Sequence, residues 1–146
     1  MNVGSLLTTN AIRFPDKIAV IEGDKRVSYR EFNTKVNLIG GGLMALHIKK
    51  GDKVAVFLHN CLECAEIYFA ISKIGAVIVP INYRIIGNEL IHIIENSDST
   101  MLIFGEELQK VVESVKPHLK KIKYYVSVGS NPPSWSIDYK EFSKIS

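Results

Sequence analysis

The sequence predicts an α/β fold: a βαβ-type, largely parallel sheet flanked by helices and preceded by a short β-hairpin. Three observations carry this. Short apolar runs alternate with longer segments of helical periodicity; Val54–Leu58 and Ala76–Val79 are apolar almost throughout, as strands covered on both faces are. The joint Ile71-Ser-Lys-Ile-Gly-Ala-Val-Ile-Val-Pro80 then turns an apolar helix into a strand at one glycine. Alternation of this kind argues for right-handed βαβ crossovers.

The elements follow in chain order. Ile18-Ala-Val-Ile21 and Arg26-Val-Ser28 flank the turn residues Glu22-Gly-Asp-Lys25, the composition of a hairpin. Ser28 and Glu31 form a capping box, and Phe32, Val36, Ile39, Leu43 and Leu46 place one apolar face on the helix it opens. Gly40-Gly-Gly42 costs roughly 1 kcal/mol per glycine inside that helix, so a close-packed neighbour is expected there. After the turn Lys49-Lys-Gly-Asp52 comes the strand Val54–Leu58, and Asn60 with Glu63 reads as a second capping box for a helix running to about Gly75. The strand Ala76–Val79, a helix over Asn88–Glu95, a strand over Thr100–Phe104, a helix over Glu106–His118 and a strand over Tyr124–Val128 continue the pattern. The run Ser130-Asn-Pro-Pro-Ser134 is a loop, and the tail from Ser136 reads as a helix with too little chain after it to complete a docked element.

Composition narrows the classes of function. A chain of 146 residues, 47% hydrophobic and 23% charged, is one domain or part of one and is not a disordered tail. The net charge is +3 and only four of the 18 basic residues are Arg; the cluster Lys116, Lys120, Lys121 and Lys123 reads as a solvated helix end and strand start, so no nucleic-acid partner is expected. The N-terminus lacks the basic flank and continuous apolar core of a signal peptide, which makes the cytoplasm the expected location. The most apolar window, Leu62–Ile81, contains Glu63, Glu66 and Lys73 and is broken by Gly75 and Pro80, so no transmembrane segment is expected either.

In an open α/β sheet, ligands bind outside the carboxyl ends of the strands. The residues there are polar: His59-Asn60, Asn82-Tyr83-Arg84, Gly105-Glu106 and Gly129-Ser130. His59, Asn60, Asn82, Tyr83 and Arg84 are the substrate-side candidates, with His59 placed to donate to an anionic substrate. Four of them also have a plainer reading: Asn60 as a helix cap, Asn82 as a turn residue, Arg84 as a surface charge, and His59 as a structural histidine. Cys61-Leu-Glu-Cys64 sits where a thioredoxin-like redox centre would, but Glu63 disfavours the thiolate, and two reduced cysteines on a core helix are the expectation. His47, His59, His92 and His118 show no paired metal-ligand spacing, and no metal site is expected. The sequence contains no G-x-G-x-x-G, no G-x-x-x-x-G-K-[ST] and no G-x-S-x-G. No self-sufficient active site emerges, and no catalytic residue is assigned.

Phe14-Pro-Asp-Lys-Ile-Ala-Val20, Val27-Ser-Tyr-Arg-Glu-Phe32, Gly51-Asp-Lys-Val-Ala-Val56, Ile71–Arg84 and Glu89-Leu90 occur in the order of the opening motifs of the adenylate-forming enzymes. The chain resembles the N-terminal portion of that superfamily of AMP-dependent synthetases and ligases. Val-Pro-Ile-Asn-Tyr-Arg84 is most like the fatty-acid and aromatic-acid CoA ligases, with a long-chain fatty acid the first expectation. The resemblance implies a two-step reaction: a carboxylic acid and ATP give acyl-adenylate and pyrophosphate, and the thiol of coenzyme A then displaces AMP. It implies ATP, Mg2+ and coenzyme A for a full-length enzyme, none of them expected to be bound by this chain alone. The phosphate loop and the mobile C-terminal domain lie downstream of the matched region in the family. Residues 1–146 therefore read as an incomplete N-terminal subdomain of the AMP-binding domain, inactive alone and partnered by the remainder of its own chain. A homodimer is compatible with the resemblance. Ile85-Ile-Gly87 departs from the Thr or Ser cap the family commonly has after the Arg. The alternatives left open are a free-standing α/β binding or interaction module and a C-x-x-C thiol redox protein.

Overall fold

The computed structural model describes residues 3–142 and Lys144. Beyond the N-terminal helix α1 (Val3–Arg13), the hairpin β1 (Ile18–Glu22) and β2 (Lys25–Ser28) leads into α2 (Tyr29–Ala45). The alternating part is β3 (Lys53–Phe57), α3 (Leu62–Lys73), β4 (Val77–Pro80), α4 (Gly87–Asn96), β5 (Met101–Gly105), α5 (Gln109–Val115), β6 (Tyr124–Val128), β7 (Ile137–Asp138) and α6 (Tyr139–Phe142). Strands β3 to β7 form one sheet in the order β4-β3-β5-β6-β7, every neighbouring pair parallel.

Side-chain alternation along the strands divides the core. Val54, Val56, Met101, Ile103 and Val126 face one layer, where α2 contributes Phe32, Val36, Ile39 and Leu43 and α3 contributes Ile67 and Ile71. Ala55, Phe57, Leu102 and Phe104 face the opposite layer, against Leu90 and Ile94 of α4 and Val112 and Val115 of α5. The result is a sheet covered on both faces, the reason β3 and β5 are apolar almost throughout.

The capping box at α2 forms as expected: the Glu31 backbone N–H donates to Ser28 Oγ at 3.1 Å, and the Ser28 N–H to Glu31 Oε1 at 3.4 Å. Of the α2 glycines, Gly42 is a site of close approach, whereas a Cβ on Gly40 would make only an ordinary van der Waals contact. A Cβ on Gly42 would stand 2.5 Å from the Phe142 carbonyl oxygen, and one on Gly40 3.6 Å from Ile74. Gly75, at φ +77, lets the chain leave α3 for β4.

Several expectations need correction. Strand β4 is not covered on both faces: it is the sheet edge, with Val77 and Pro80 exposed, a position that tolerates a residue with no N–H to donate. Asn60 does not cap α3. Cys61 holds the cap position without a side-chain bond, and the Leu62 N–H donates instead to Glu22 Oε2 at 2.6 Å, a carboxylate the hairpin brings to the positive end of the helix. The helix expected over Glu106–His118 is α only over Gln109–Val115, with a 3-10 turn on each side and Pro117 in the second. The tail does dock: Ile137 and Asp138 add a fifth strand, and Tyr139 and Phe142 are buried against the α2 layer. Helix α1 has no expected counterpart. Only its Gly4 and Leu7 are buried, too few apolar contacts to write a clear period, and it seats on α3 because Gly4 has no Cβ to strike Lys73.

Candidate functional site

The strand order decides where a ligand can enter. From β3 the chain passes through α3 to β4 on one side, then crosses through α4 to β5 on the other side of β3. Helices α3 and α4 lie on opposite faces of the sheet. The loops leaving β3 and β5 therefore diverge, and between the carboxyl ends of these strands lies a topological switch point, where doubly wound sheets bind ligands.

A crevice of about 460 Å3 occupies this end of the sheet. Its walls include Leu62, Glu63 and Glu66 of α3, Glu106 and Glu107 beyond β5, and Gly129 beyond β6. Lys25, Lys35 and Lys140 supply positive charge around the same space. Of its carboxylates, Glu66, Glu106 and Glu107 are engaged within the fold. Glu106 Oε2 accepts the backbone N–H groups of Ser130 and Asn131 at 2.9 and 3.0 Å, holding the loop after β6. Glu66 Oε1 accepts the Tyr139 hydroxyl at 2.8 Å in a buried contact. Burial raises the Glu66 carboxyl above its ordinary pKa, opposed by the Tyr139 bond and by Lys35.

None of the five residues singled out from sequence lines this crevice. Asn60, Asn82 and Tyr83 line a neighbouring hollow of about 280 Å3 with Tyr68 and Pro80. His59 contacts one lining residue of each space. Its Nδ1 is 2.6 Å from Glu107 Oε1, and its ring lies 3.9 Å, centroid to centroid, from the Tyr83 ring. The Arg84 guanidinium is 5.4 Å from the centroid of the Tyr83 ring, and Asn82 Oδ1 accepts the Arg84 backbone N–H at 2.9 Å. The structure thus brings together His59, Tyr83 and Arg84, gives Asn82 the turn role its residue type suggests, and leaves Asn60 exposed on the rim. Glu107 was missed from sequence. Its only local signal was its place two residues beyond a strand, and its partner lies 48 residues away.

The C-x-x-C segment carries no redox signature. Burial, with the Glu63 charge adding to it, pushes the Cys61 thiol up to about 11, and burial raises Cys64 as well. Alkylation of either thiol at pH 7 is expected to be slower than that of a small free thiol, a comparison that timed labelling makes directly; faster labelling would restore the redox reading. The basic cluster is also taken up locally: Lys121 pairs with Asp98 at 2.6 Å, and Lys116 lies over the Trp135 and Tyr125 rings. Among the described residues no group of three His, Cys, Asp or Glu side chains could hold a metal ion, and no helix is long and apolar enough to cross a membrane.

Fold, crevice and motif order define an α/β sheet of the adenylate-forming type. The chain belongs to the AMP-binding enzyme family, whose pattern it matches over residues 7–144. It is 33% identical over 117 residues to the long-chain-fatty-acid–CoA ligase FadD13 of Mycobacterium tuberculosis, covering 79% of this chain and 23% of that protein. It is 26% identical over 145 residues to a medium/long-chain-fatty-acid–CoA/3-oxocholest-4-en-26-oate–CoA ligase of Mycobacterium marinum, covering 99% of this chain and 26% of the relative. A solved Mycobacterium tuberculosis fatty acyl CoA synthetase superposes with a TM-score of 0.83 at 30% identity, over 86% of this chain and 26% of that one. The anthranilate CoA ligase AuaEII, solved with anthranoyl-AMP, shares the fold with a TM-score of 0.94 at 23% identity, over 99% of this chain and 28% of that one. The chain spans about a quarter of the length of the curated relatives it matches.

Proposed function

We propose that this chain is the N-terminal subdomain of an ATP-dependent acyl-CoA ligase and helps to frame the substrate side of its active site. The observation that carries the reading is the family match across residues 7–144, together with relatives that are fatty-acid–CoA ligases by name. The whole enzyme would join a carboxylic acid, a long-chain fatty acid in the leading reading, to coenzyme A through an acyl-adenylate, with ATP consumed to AMP and pyrophosphate. We place that enzyme in the cytoplasm.

The residues present do not fit Mg2+-ATP. The sequence has no glycine-rich phosphate loop, and the described residues hold no carboxylate cluster suited to a metal. The phosphoryl chemistry is therefore assigned to the remainder of the enzyme and no step of it to this chain. What these residues can do is bind and orient: the loops after β3 and β4 present His59, Asn60, Asn82, Tyr83 and Arg84 at one end of the sheet. Of these, Arg84 carries a fixed positive charge that suits a carboxylate or a phosphate.

Two measurements test this. The purified chain is expected to release no pyrophosphate from ATP with palmitate, and turnover would sink the reading. In the full-length ligase, Arg84→Ala is expected to lower acyl transfer about tenfold, equivalent to ~1.4 kcal/mol of lost stabilisation, without changing the thermal midpoint. Unchanged transfer would return Arg84 to the status of a surface charge.

A further inference from the structure

We infer that Glu107 is a positioning residue: it fixes the His59 ring across the switch point so that the ring presents Nε2, as a hydrogen-bond acceptor, to the ligand. This rests on the substrate-side reading of the loops after β3 and β4. The geometry is specific. An ionised carboxylate only accepts, so in the neutral ring the 2.6 Å contact places the proton on Nδ1 and the lone pair on Nε2. The ligand group that His59 meets is then an N–H, O–H or S–H donor. This reverses the expectation that His59 donates to an anion, and the Glu107 charge beside it also disfavours a carboxylate at that point.

The pair does more than select a tautomer. His59 comes from the loop after β3, Glu107 from the turn after β5, and the His59 ring packs on Tyr83 from the loop after β4. Three loops are therefore joined by side chains alone, around the one place where the strand order leaves an opening. Both members are a little under half exposed, His59 at 44% and Glu107 at 47%, so the contact is open to a ligand and is not a buried core bond.

Gly105 provides an independent handle on the same carboxylate. Glu107 folds back over Gly105, where a Cβ would collide with its carboxylate oxygens, while the Gly105 backbone, at φ −80, is one that alanine adopts without strain. Gly105→Ala should thus displace the Glu107 carboxylate with its charge intact, and Glu107→Gln should remove the charge with its size intact.

The test is 15N NMR of the His59 imidazole at pH 8 in the labelled chain, with the signal identified by its loss in His59→Gln. The wild-type ring is expected to carry its proton on Nδ1. Both Glu107→Gln and Gly105→Ala are expected to shift the tautomer ratio toward Nε2–H by about tenfold, the scale of one charge-assisted hydrogen bond, with backbone amide dispersion unchanged. A wild-type ring protonated on Nε2, or an unmoved ratio in both variants, overturns the positioning role without any substrate being involved. In the full-length ligase, Glu107→Gln is expected to raise KM for the thiol acceptor more than KM for the acid. Tautomer control lost as expected, with both KM values and kcat unchanged, would instead overturn the substrate-side reading on which the inference rests.

Discussion

Phe104→Ala is expected to cost about 3–5 kcal/mol, the range for emptying a fully buried phenylalanine site. Phe104 is completely buried on β5, a strand with a neighbour on each side, and its ring stacks on Trp135 at 5.3 Å and 17°. Trp135 in turn meets Tyr125 edge-on at 5.4 Å and lies under the Lys116 ammonium at 5.2 Å. The alanine would remove both the transfer energy of the ring and the floor on which the loop after β6 rests. The chain has a single tryptophan, so its emission reports on this place alone. Urea denaturation followed by Trp135 fluorescence should show the midpoint falling and the native-state emission changing together. A loss below about 1 kcal/mol would mean that the loop collapses into the site and that its packing is not what holds it.

Tyr139→Phe has the second large expected effect, and one that depends on pH. Glu66 is buried and its carboxyl is raised above its ordinary value of 4.5 by that burial. The folded chain therefore holds this proton more tightly than the unfolded chain does. The stability it contributes is complete below the unfolded pKa and is lost as pH rises through the folded one. The Tyr139 hydroxyl, bonded to Glu66 Oε1 at 2.8 Å, offsets part of that loss by stabilising the ionised form. Removing it should cost about 1.5–3 kcal/mol at pH 8, the range for a hydrogen bond to a charged group, and less at pH 4. Glu66→Gln should flatten the decline from pH 4 to pH 8. Denaturation midpoints at the two values decide it, and an equal loss at both would show that the hydroxyl matters by packing alone.

Both effects lie close to the candidate site. Glu66 and Tyr139 wall the crevice, and Phe104 stands just before the turn that carries Glu107. Burial of a carboxylate and a tyrosine at the carboxyl end of the sheet is thus tied to the geometry of the opening. The tail that was expected to be undocked supplies the tyrosine.

The local elements were legible because their causes are local. Ser28 and Glu31 cap α2 from three residues apart, and the hairpin turn and the strands β3, β5 and β6 are written in composition and period. The family was legible for a related reason: its opening motifs are short runs whose order survives in the sequence. Errors arose where a distant partner competed with a local one. Asn60 had the right type to cap α3, but Glu22 arrived through the hairpin with a full charge. Val77–Pro80 had the composition of an inner strand, but composition does not say which strand has a neighbour on only one side.

By itself the sequence determined the α/β class, the family and which loops carry polar residues at the ends of strands, because each follows from residue type and spacing along the chain. Only the tertiary structure decided that β3 and β5 are neighbours, and hence that a switch point opens between them. It alone set His59 against Glu107 and folded Tyr139 onto Glu66. These contacts join residues 48 and 73 positions apart, and at that separation it is the order of strands in the sheet, not the spacing of residues, that determines which side chains meet.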